Sequence, residues 1–304
     1  MNWISGIQSV IDYIEEHLTE SIRYDEIAKQ SYSSSFHLQR VFSILCGYTL
    51  GEYIRNRRLA LAGKELALGK TKIIDIALKY GYENPESFSR AFVKFHGINP
   101  SEASKPGVRL QSFSPLKVKV FLEGGMTMNY RIEEKPETVL VGFKQHFYGI
   151  PFGEQRAKQE EKMFVSSRAK QWLLRGASCD YYTDYCIVKN IDDTGYDFYI
   201  ANELDDWTRA NLYNQEITGV DFIESMEFEE IIIPKQKYVI FETQQSAHPI
   251  EEYVDIRQKL VAEWLPLSGY QFADASELAL LHWRPKSSKE NRFVEIWIPI
   301  EKIT

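Results

Sequence analysis

Two short stretches of this 304-residue chain carry side chains of the kinds that read DNA bases, at matching places in a repeat. The outward-facing residues of the two stretches are Phe36, Gln39 and Arg40, and Glu86, Ser89 and Arg90. Arginine can hold guanine and glutamine can hold adenine through paired hydrogen bonds in the major groove. One helix with such a face is more often simply solvated. Two helices at equivalent positions favour base reading.

The repeat predicts how these side chains are positioned. Segment 27–53 recurs as segment 76–103, and after one extra residue the two copies match at an offset of 50. Apolar residues recur every three or four positions in the second part of each copy, which is typical of a helix with one buried face. The predicted core positions are Leu38, Val41, Phe42 and Leu45, and Phe88, Ala91, Phe92 and Phe95. Each copy is therefore predicted to form a helix-turn-helix unit.

Start and stop signals bound the longer helix of each copy. Ser33 or Ser34 can cap the first helix and Asn84 the second, because their side-chain oxygens accept hydrogen bonds from free backbone amides. Gly47 and Gly97 stand where a left-handed residue ends a helix. The sequence thus predicts both ends of both helices.

Between the copies the sequence predicts a connecting helix from Leu50 to Leu68, about 28 Å long at 1.5 Å per residue. This length would hold the two longer helices near one DNA turn apart, ~34 Å, so that both enter successive major grooves. Polar and cationic residues in and around this helix are candidates for phosphate contact. They are Ser34, Arg55, Arg57, Arg58, Lys72 and Lys94. The alternative, that some of them are only solvated, stays open.

Residues 5–105 resemble the DNA-binding domain of the AraC/XylS family. The resemblance rests on the motifs S-x-F-H-L-Q-R-V-F, R-x-R-R-L-x-x-A and G-Y-x-N-x-E-S-F-S-R-A-F. It implies a transcription activator or repressor that binds double-stranded DNA, with base reading at the six positions named above. Two positions depart from the pattern: Phe36 lacks the indole donor of some relatives, and Glu86 would prefer a cytosine amino group or solvent.

The last strand of the chain carries a carboxylate between two aromatic side chains. The two-residue period of a strand puts Phe293, Glu295 and Trp297 on one face and three aliphatic residues on the other. Aromatic faces and a poorly solvated anion both attract cations, so this face suits an apolar, cationic ligand. The alternative is a half-exposed edge strand with a surface glutamate.

The rest of the second half predicts an α+β domain in which strands, a helix and strands occur twice. The predicted helices include 157–174 and 250–264. The predicted strands include 185–189, 196–201, 238–242 and 278–283. Residues from about Met128 to Lys302 resemble the GyrI-like effector-binding domain, chiefly through F-V-E-I-W-I-P-I and A-E-W-L-P-L-S-G-Y-Q-F-A-D.

This second resemblance implies a duplicated module that binds bulky, often cationic, hydrophobic compounds in a groove between its halves. It also implies a glutamate at the position of Glu295. Five aromatic residues are further candidates for the groove, namely Tyr148, Phe198, Trp264, Tyr270 and Trp283.

Charge divides the chain into two unlike parts. Residues 1–110 hold 14 basic and 12 acidic residues, whereas residues 111–304 hold 22 basic and 31 acidic ones. A proline-rich stretch between them predicts a DNA-binding domain at 1–105, a linker at 106–125 and an effector-binding domain at 126–304. The sequence shows no apolar run long enough for a transmembrane helix and no signal peptide, so we expect a cytoplasmic protein without membrane contact.

The sequence therefore predicts a multidomain, sequence-specific transcription regulator: an all-α tandem helix-turn-helix domain followed by an α+β effector domain. We expect DNA, a small-molecule effector and RNA polymerase as partners, and no cofactor or metal. The three cysteines are too few and too irregularly spaced for a disulfide framework or a zinc site. Two alternatives stay open. The second domain could be a hydrolase with Glu295 as base, or the protein could bind the chromosome without ligand control.

Overall fold

In the computed structural model the chain divides into two units, Met1–Leu122 and Glu123–Thr304. The residues that the structure describes are 3–30, 34–118, 129–151, 153–192, 194–213, 219, 221–247, 256, 259–284 and 286–303. The alternative cap at Ser33, the end of the predicted linker and most of the predicted helix 250–264 lie outside the described residues.

The first unit is helical, as the repeat predicts. Its helices are α1 (Trp3–Glu16), α2 (Tyr24–Gln30), α3 (Ser35–Cys46), α4 (Leu50–Ala67), α5 (Ile73–Lys79) and α6 (Pro85–His96). The helices α2 and α3 form the first helix-turn-helix copy, and α5 and α6 form the second. The helix α4 connects them, one residue shorter than predicted because Leu68 is its C-cap.

The predicted caps bound α3 and α6. Ser34 accepts a hydrogen bond from the backbone amide of His37, and Gly47 ends α3 in the left-handed conformation at φ 74°. Asn84 caps α6 in the same way, and Gly97 ends it at φ 77°. Local sequence signals therefore set both ends of both long helices.

The core of the first unit joins the repeat to the connecting helix. Phe88 and Phe92 of α6 are fully buried and belong to one cluster with Leu59 and Leu66 of α4. The prediction that Leu45 belongs to the core is wrong: it is 37% exposed, because it lies in the last turn of α3.

The second unit is built on antiparallel strands. The strands are β1 (Tyr130–Lys135), β2 (Thr138–Tyr148), β3 (Thr183–Lys189), β4 (Gly195–Glu203), β5 (Glu229–Ile233), β6 (Gln236–Glu242), β7 (Tyr270–Phe272), β8 (Glu277–His282) and β9 (Phe293–Lys302). The helices are α7 (Gly153–Ser166), α8 (Arg168–Ala177), α9 (Asp206–Tyr213), α10 (Phe222–Ser225) and α11 (Leu265–Ser268). One long helix was expected at 157–174; the structure breaks it at Ser167, which lies between α7 and α8.

The order of the strands shows a duplication. The sheet runs β1-β6-β9-β8-β3-β4-β2-β5, with β7 beside β9. Reading from the central β3–β8 pair outward, β4, β2 and β5 on one side correspond to β9, β6 and β1 on the other. The first strand of each half thus pairs with the other half: β1 with β6, and β5 with β2.

The two faces of the sheet differ. Arg156 of α7 lies over the ring of Phe198, so α7 covers one face. The side chains of Tyr199, Ile187 and Leu280 belong to a buried apolar cluster on the opposite face. Cross-strand partners share a face, and Leu280 is the partner of Glu295. Glu295 therefore lies on the apolar face away from α7, which we call the effector face.

Candidate functional site

The helix α3 offers part of the predicted base-reading set. Phe36 and Gln39 are partly exposed. The Gln39 amide donates to the backbone oxygen of Ser35 at 3.3 Å and to its hydroxyl at 3.1 Å. These local hydrogen bonds hold the amide near the start of the helix, where residues of a recognition helix meet base edges.

The prediction that Arg40 faces outward is wrong. Arg40 is only 5% exposed, and every residue from Leu38 to Ile44 except Gln39 is buried. Nearby, burial and then the positive charge of Arg40 lower the pKa of His37 to about 4. In this structure the Arg40 guanidinium does not reach the surface where a base would lie.

The helix α6 presents its predicted face to solvent. Glu86 and Arg90 are exposed and Ser89 is partly exposed, while Phe88 and Phe92 on the other side are fully buried. The exposed side therefore holds an anion, a hydroxyl and a cation within about one turn. Base contact by these three residues stays a prediction.

The phosphate candidates separate into two groups. Ser34, Arg55, Lys72 and Lys94 are exposed, as a phosphate contact requires. Arg57 is not: it is 7% exposed and forms an ion pair with Glu15 at 2.7 Å. It is therefore a structural residue, and its predicted phosphate contact is wrong.

Arg58 is also engaged within the unit. Its Nε donates to the backbone oxygen of Leu18 at 2.8 Å, and its Nη2 donates to that of Glu20 at 2.6 Å. These two hydrogen bonds connect α4 to the segment that follows α1. Arg58 is partly exposed, and its phosphate contact stays a prediction.

A segment that sequence analysis did not single out crosses α1, α4 and α6. The backbone amide of Gln111 donates to His96 Nδ1 of α6 at 3.1 Å, and that of Leu116 donates to Tyr53 Oη of α4 at 3.2 Å. The backbone amide of Val118 donates to Gln8 Oε1 of α1 at 2.9 Å. Arg57 also donates to the backbone oxygen of Phe113. Residues 111–118, which we call the strap, are therefore held against the helices of the first unit, although the sequence predicts them to be part of a linker.

In the second unit, Glu295 is a nearly buried carboxylate with several partners. Its side chain is 13% exposed. One oxygen accepts from Arg131 Nη2 at 2.5 Å, and the other accepts from Trp297 Nε1 at 2.8 Å and lies 3.8 Å from His282 Nε2. Burial raises the pKa of Glu295, but the contacts with His282, Arg131 and Trp297 outweigh it and lower the pKa to about 2. Glu295 is therefore ionised at neutral pH.

Arg131 is a central cation that the sequence did not reveal. Besides Glu295, it contacts Glu242 and donates from Nε to Glu133 at 2.7 Å. The period of β1 places Arg131 and Glu133 on one face. However, nothing in the sequence indicates that β1 pairs with the distant β6 and so lies near β9.

Two of the predicted aromatic residues do join Glu295. Phe293 stacks on His282 with ring centroids 4.2 Å apart. Trp297 lies under the ammonium group of Lys135, which is 4.6 Å from the ring centroid. The residues that share this face therefore include two aromatics, the three carboxylates Glu295, Glu133 and Glu242, and the cations Arg131 and Lys135.

Two other aromatic candidates lie on the face that α7 covers. Phe198 is fully buried and stacks on Phe147 at 4.9 Å. Trp283 donates from Nε1 to Asp184 at 2.7 Å, and Asp184 is only 1% exposed on that face. The alternation of a strand places them away from Glu295, so their predicted role in the groove is wrong.

The last three aromatic candidates are also apart from Glu295. Trp264 packs on Phe241 and on Tyr270, at 5.9 and 6.3 Å between centroids, and Phe241 belongs to the face opposite Glu295. Tyr148 is 64% exposed at the end of β2. Trp264 and Tyr270 therefore lie away from the effector face, whereas contact of Tyr148 with the effector stays a prediction.

Known proteins resemble each unit separately. A family model described as a helix-turn-helix domain matches residues 27–105. The transcriptional activator AarP of Providencia stuartii is 44% identical over 97 residues, which are 32% of this chain and 72% of that protein. The regulatory protein SoxS of Escherichia coli is 42% identical over 96 residues, 32% of this chain and 90% of that protein.

The chain belongs to the AraC family of transcription regulators. It is thus an AraC-type regulator that binds DNA through its first unit. Its second unit matches a family model described as a GyrI-like small-molecule-binding domain at residues 180–301.

Two solved structures are similar to parts of this AraC-family chain. One is that of SAV2435 bound to tetraphenylphosphonium, with 17% identity, a TM-score of 0.40, and coverage of 57% of this chain and 94% of that one. The other is an AraC-type regulator from Chromobacterium violaceum, with 23% identity, a TM-score of 0.32, and coverage of 34% and 96%. Among the described residues, no helix is long and apolar enough to cross a membrane.

Proposed function

We propose that this regulator reads a bipartite DNA site with α3 and α6, and that a hydrophobic cation bound on the effector face controls it. In this proposal Phe36 and Gln39 read one patch, and Glu86, Ser89 and Arg90 read the other. Ser34, Arg55, Lys72 and Lys94 contact phosphates. The protein acts in the cytoplasm, where the chromosomal DNA lies, and its DNA-bound form contacts RNA polymerase.

The length of α4 supports the bipartite site. Its 18 residues span about 27 Å at 1.5 Å per residue. A DNA turn is ~34 Å, so helices attached near the two ends of α4 can approach successive major grooves from one side. The polar face of α6 then meets one groove and the start of α3 meets the other.

The observation that carries the effector assignment is an ionised, 13% exposed Glu295 on an apolar sheet face. A buried carboxylate needs a cationic partner, and Arg131 fills that role in this structure. An incoming cation can take the place of Arg131 at Glu295 without leaving the anion unpaired. Released Arg131 keeps Glu133 and Glu242 as partners, which lowers the cost of the exchange.

The same contacts argue against a hydrolase in which Glu295 acts as base. A general base works best when its pKa lies near the working pH. Hydrogen bonds from Arg131 and Trp297 stabilise the ionised form of Glu295 and make it a weak base. We therefore propose that the second unit binds its ligand without transforming it.

The effector proposal is tested by calorimetric titration of the full chain with tetraphenylphosphonium, a bulky apolar cation without N–H groups. Glu295→Gln should weaken binding about tenfold or more, because the anion that faces the cation is lost. Glu301→Gln is the matched control, since Glu301 is an exposed carboxylate on the same strand. Equal affinity of the Glu295→Gln variant and the wild type would refute the assignment.

The DNA proposal is tested by selecting binding sites from random duplex DNA at fixed salt, with and without tetraphenylphosphonium. We expect a motif with two patches about one turn apart. Purely salt-sensitive binding without enrichment, in both conditions, would instead indicate a chromosome-associated protein without sequence preference.

A further inference from the structure

The strap contacts the end of α6 and the turn that follows α3. The backbone amide of Gln111 donates to Nδ1 of His96, the last residue of α6, at 3.1 Å. Two residues later, the ring of Phe113 packs edge-on against that of Tyr48, just after the C-cap of α3, with centroids 5.4 Å apart. Two residues of chain span at most ~7 Å, so the strap leaves little slack between the ends of the two helices.

The middle of the strap is fixed to α4. The ring of Phe113 packs on that of Tyr53 at 5.9 Å between centroids, and its backbone oxygen accepts from Arg57. The amide of Leu116 donates to Tyr53 Oη at 3.2 Å. Arg57 also forms an ion pair with Glu15 of α1 at 2.7 Å. The strap, α4 and α1 are therefore joined by one network of hydrogen bonds.

The strap also completes the hydrogen bonding of His96. This side chain is 5% exposed, and its Nε2 donates to the backbone oxygen of Leu59 in α4 at 3.0 Å. A neutral imidazole has one donor and one acceptor nitrogen, so Nδ1 accepts from Gln111. Burial lowers the pKa of His96, although the hydrogen bond to Leu59 opposes this shift, and so favours the neutral form. Without the strap, Nδ1 would lose its donor at the end of α6.

We propose that the strap positions α3 and α6 relative to each other, and so sets the spacing between the two DNA patches that the protein accepts. The apolar contact of α6 with α4 has no preferred direction, whereas the hydrogen bond to His96 and the ring contact with Tyr48 do. This inference rests on the bipartite site proposed above. It goes beyond that site because it assigns the spacing to a segment outside both helix-turn-helix copies.

The spacing of a DNA site is a sensitive measure of this positioning. One added base pair moves the second patch by ~3.4 Å along the DNA and turns it by about 34° around the axis. Two helices held by the strap cannot follow this change without losing contacts. Two helices freed from the strap can follow it at a smaller loss of affinity.

The test uses the full chain and duplexes in which one base pair is added or removed between the two selected patches. Gln111→Pro removes the amide that donates to His96, and Phe113→Ala removes the ring that packs on Tyr48. Gln111→Ala is the matched control, because it keeps the amide and changes only an exposed side chain. By fluorescence anisotropy at fixed salt, the wild type and the control should lose at least tenfold in affinity on the altered spacing. Both strap variants should lose threefold or less.

A second measurement does not depend on DNA. Nitroxide labels on Leu45→Cys at the end of α3 and Val93→Cys in α6, both exposed positions, report the distance between the helices by pulsed electron paramagnetic resonance. Cys46→Ala and Cys179→Ser remove the accessible native thiols, and Cys186 is buried. We expect a distance distribution at least twofold broader in both strap variants than in the wild type and the control. The double variant should be no broader than either single one, because releasing one end already frees the strap.

An unchanged distance distribution in both strap variants would overturn the inference, and so would a tenfold spacing penalty that both retain. Equal weakening on all spacings would assign the strap to stability alone and would overturn it too. Absence of a two-patch motif for the wild type would instead refute the bipartite site. The distance distributions then decide by themselves whether the strap positions the two helices.

Discussion

The guanidinium of Arg131 lies 2.5 Å from the carboxylate of Glu295, although 164 residues separate them in the chain. The protein thus supplies its own cation to the site that we assign to a cationic effector. An effector of that kind binds in competition with Arg131. The free energy of this internal pair therefore sets how tightly the effector must bind.

Replacing Arg131 should raise the affinity for a hydrophobic cation. In Arg131→Met the competing charge is gone while an apolar side chain remains, so we expect tetraphenylphosphonium to bind about tenfold more tightly. Calorimetric titration of the full chain measures this change. Arg168→Met is the control, because Arg168 is an exposed arginine of the same unit. Equal or weaker binding by Arg131→Met would contradict competition between Arg131 and the ligand for Glu295.

The stability that Glu295 contributes should depend on pH. Burial opposes ionisation of Glu295, but contacts with His282, Arg131 and Trp297 lower its pKa from 4.5 to about 2 in the folded protein. Because the folded-state pKa is depressed, this stabilisation is complete above about pH 4.5 and is lost as the pH falls towards 2. Urea unfolding of the wild type and Glu295→Gln should therefore give a difference that shrinks from about pH 6 to pH 3. A difference constant over that range would contradict the assigned contacts.

Gly63 in α4 tests how tightly the first unit is packed. A methyl group there would lie 2.6 Å from His96 Nε2, and His96 is held by hydrogen bonds to Leu59 and Gln111. Gly63→Ala should therefore destabilise the protein by about 1–3 kcal/mol, although alanine is the better helix former.

Gly176 in α8 is the control for this substitution, because a methyl group there would meet nothing within 4 Å. Gly176→Ala should stabilise the protein by about 0.5–1 kcal/mol. Chemical denaturation of both variants measures the two effects. Stabilisation by Gly63→Ala would show that His96 gives way at little cost.

Arg90 and Lys72 should differ in how they affect DNA binding. Arg90→Ala should cost about 1–3 kcal/mol on the selected site and remove the preference at one base pair. Lys72→Ala should weaken binding to all sequences alike and reduce the salt dependence by about one unit of slope. Fluorescence anisotropy with specific and random duplexes at several salt concentrations separates them. An equal loss on both duplexes for Arg90→Ala would remove Arg90 from the base-reading set.

The sequence predicted the helices of the first unit well because their signals are local. Ser34, Gly47, Asn84 and Gly97 cap helices within a few residues of themselves. Strand positions in the second unit were predicted for the same reason. The alternation around Glu295 correctly placed Phe293 and Trp297 beside it.

Partners distant in the chain could not be predicted. Arg57 was expected on the DNA, but Glu15 on α1, 42 residues earlier, holds it. Arg40 was expected outside, yet α3 is buried on more than one side. The pairing of Arg131 with Glu295 depends on the order of strands, which no local pattern contains.

The exchange of β1 and β5 between the halves determines how the second unit folds. Each half lends its first strand to the sheet of the other, so neither half has a complete set of neighbours when it is alone. Two copies of one half would make the same sheet as a strand-swapped homodimer. In the single chain, loss of one half exposes a strand edge of the other, so the two halves should melt together as one cooperative unit.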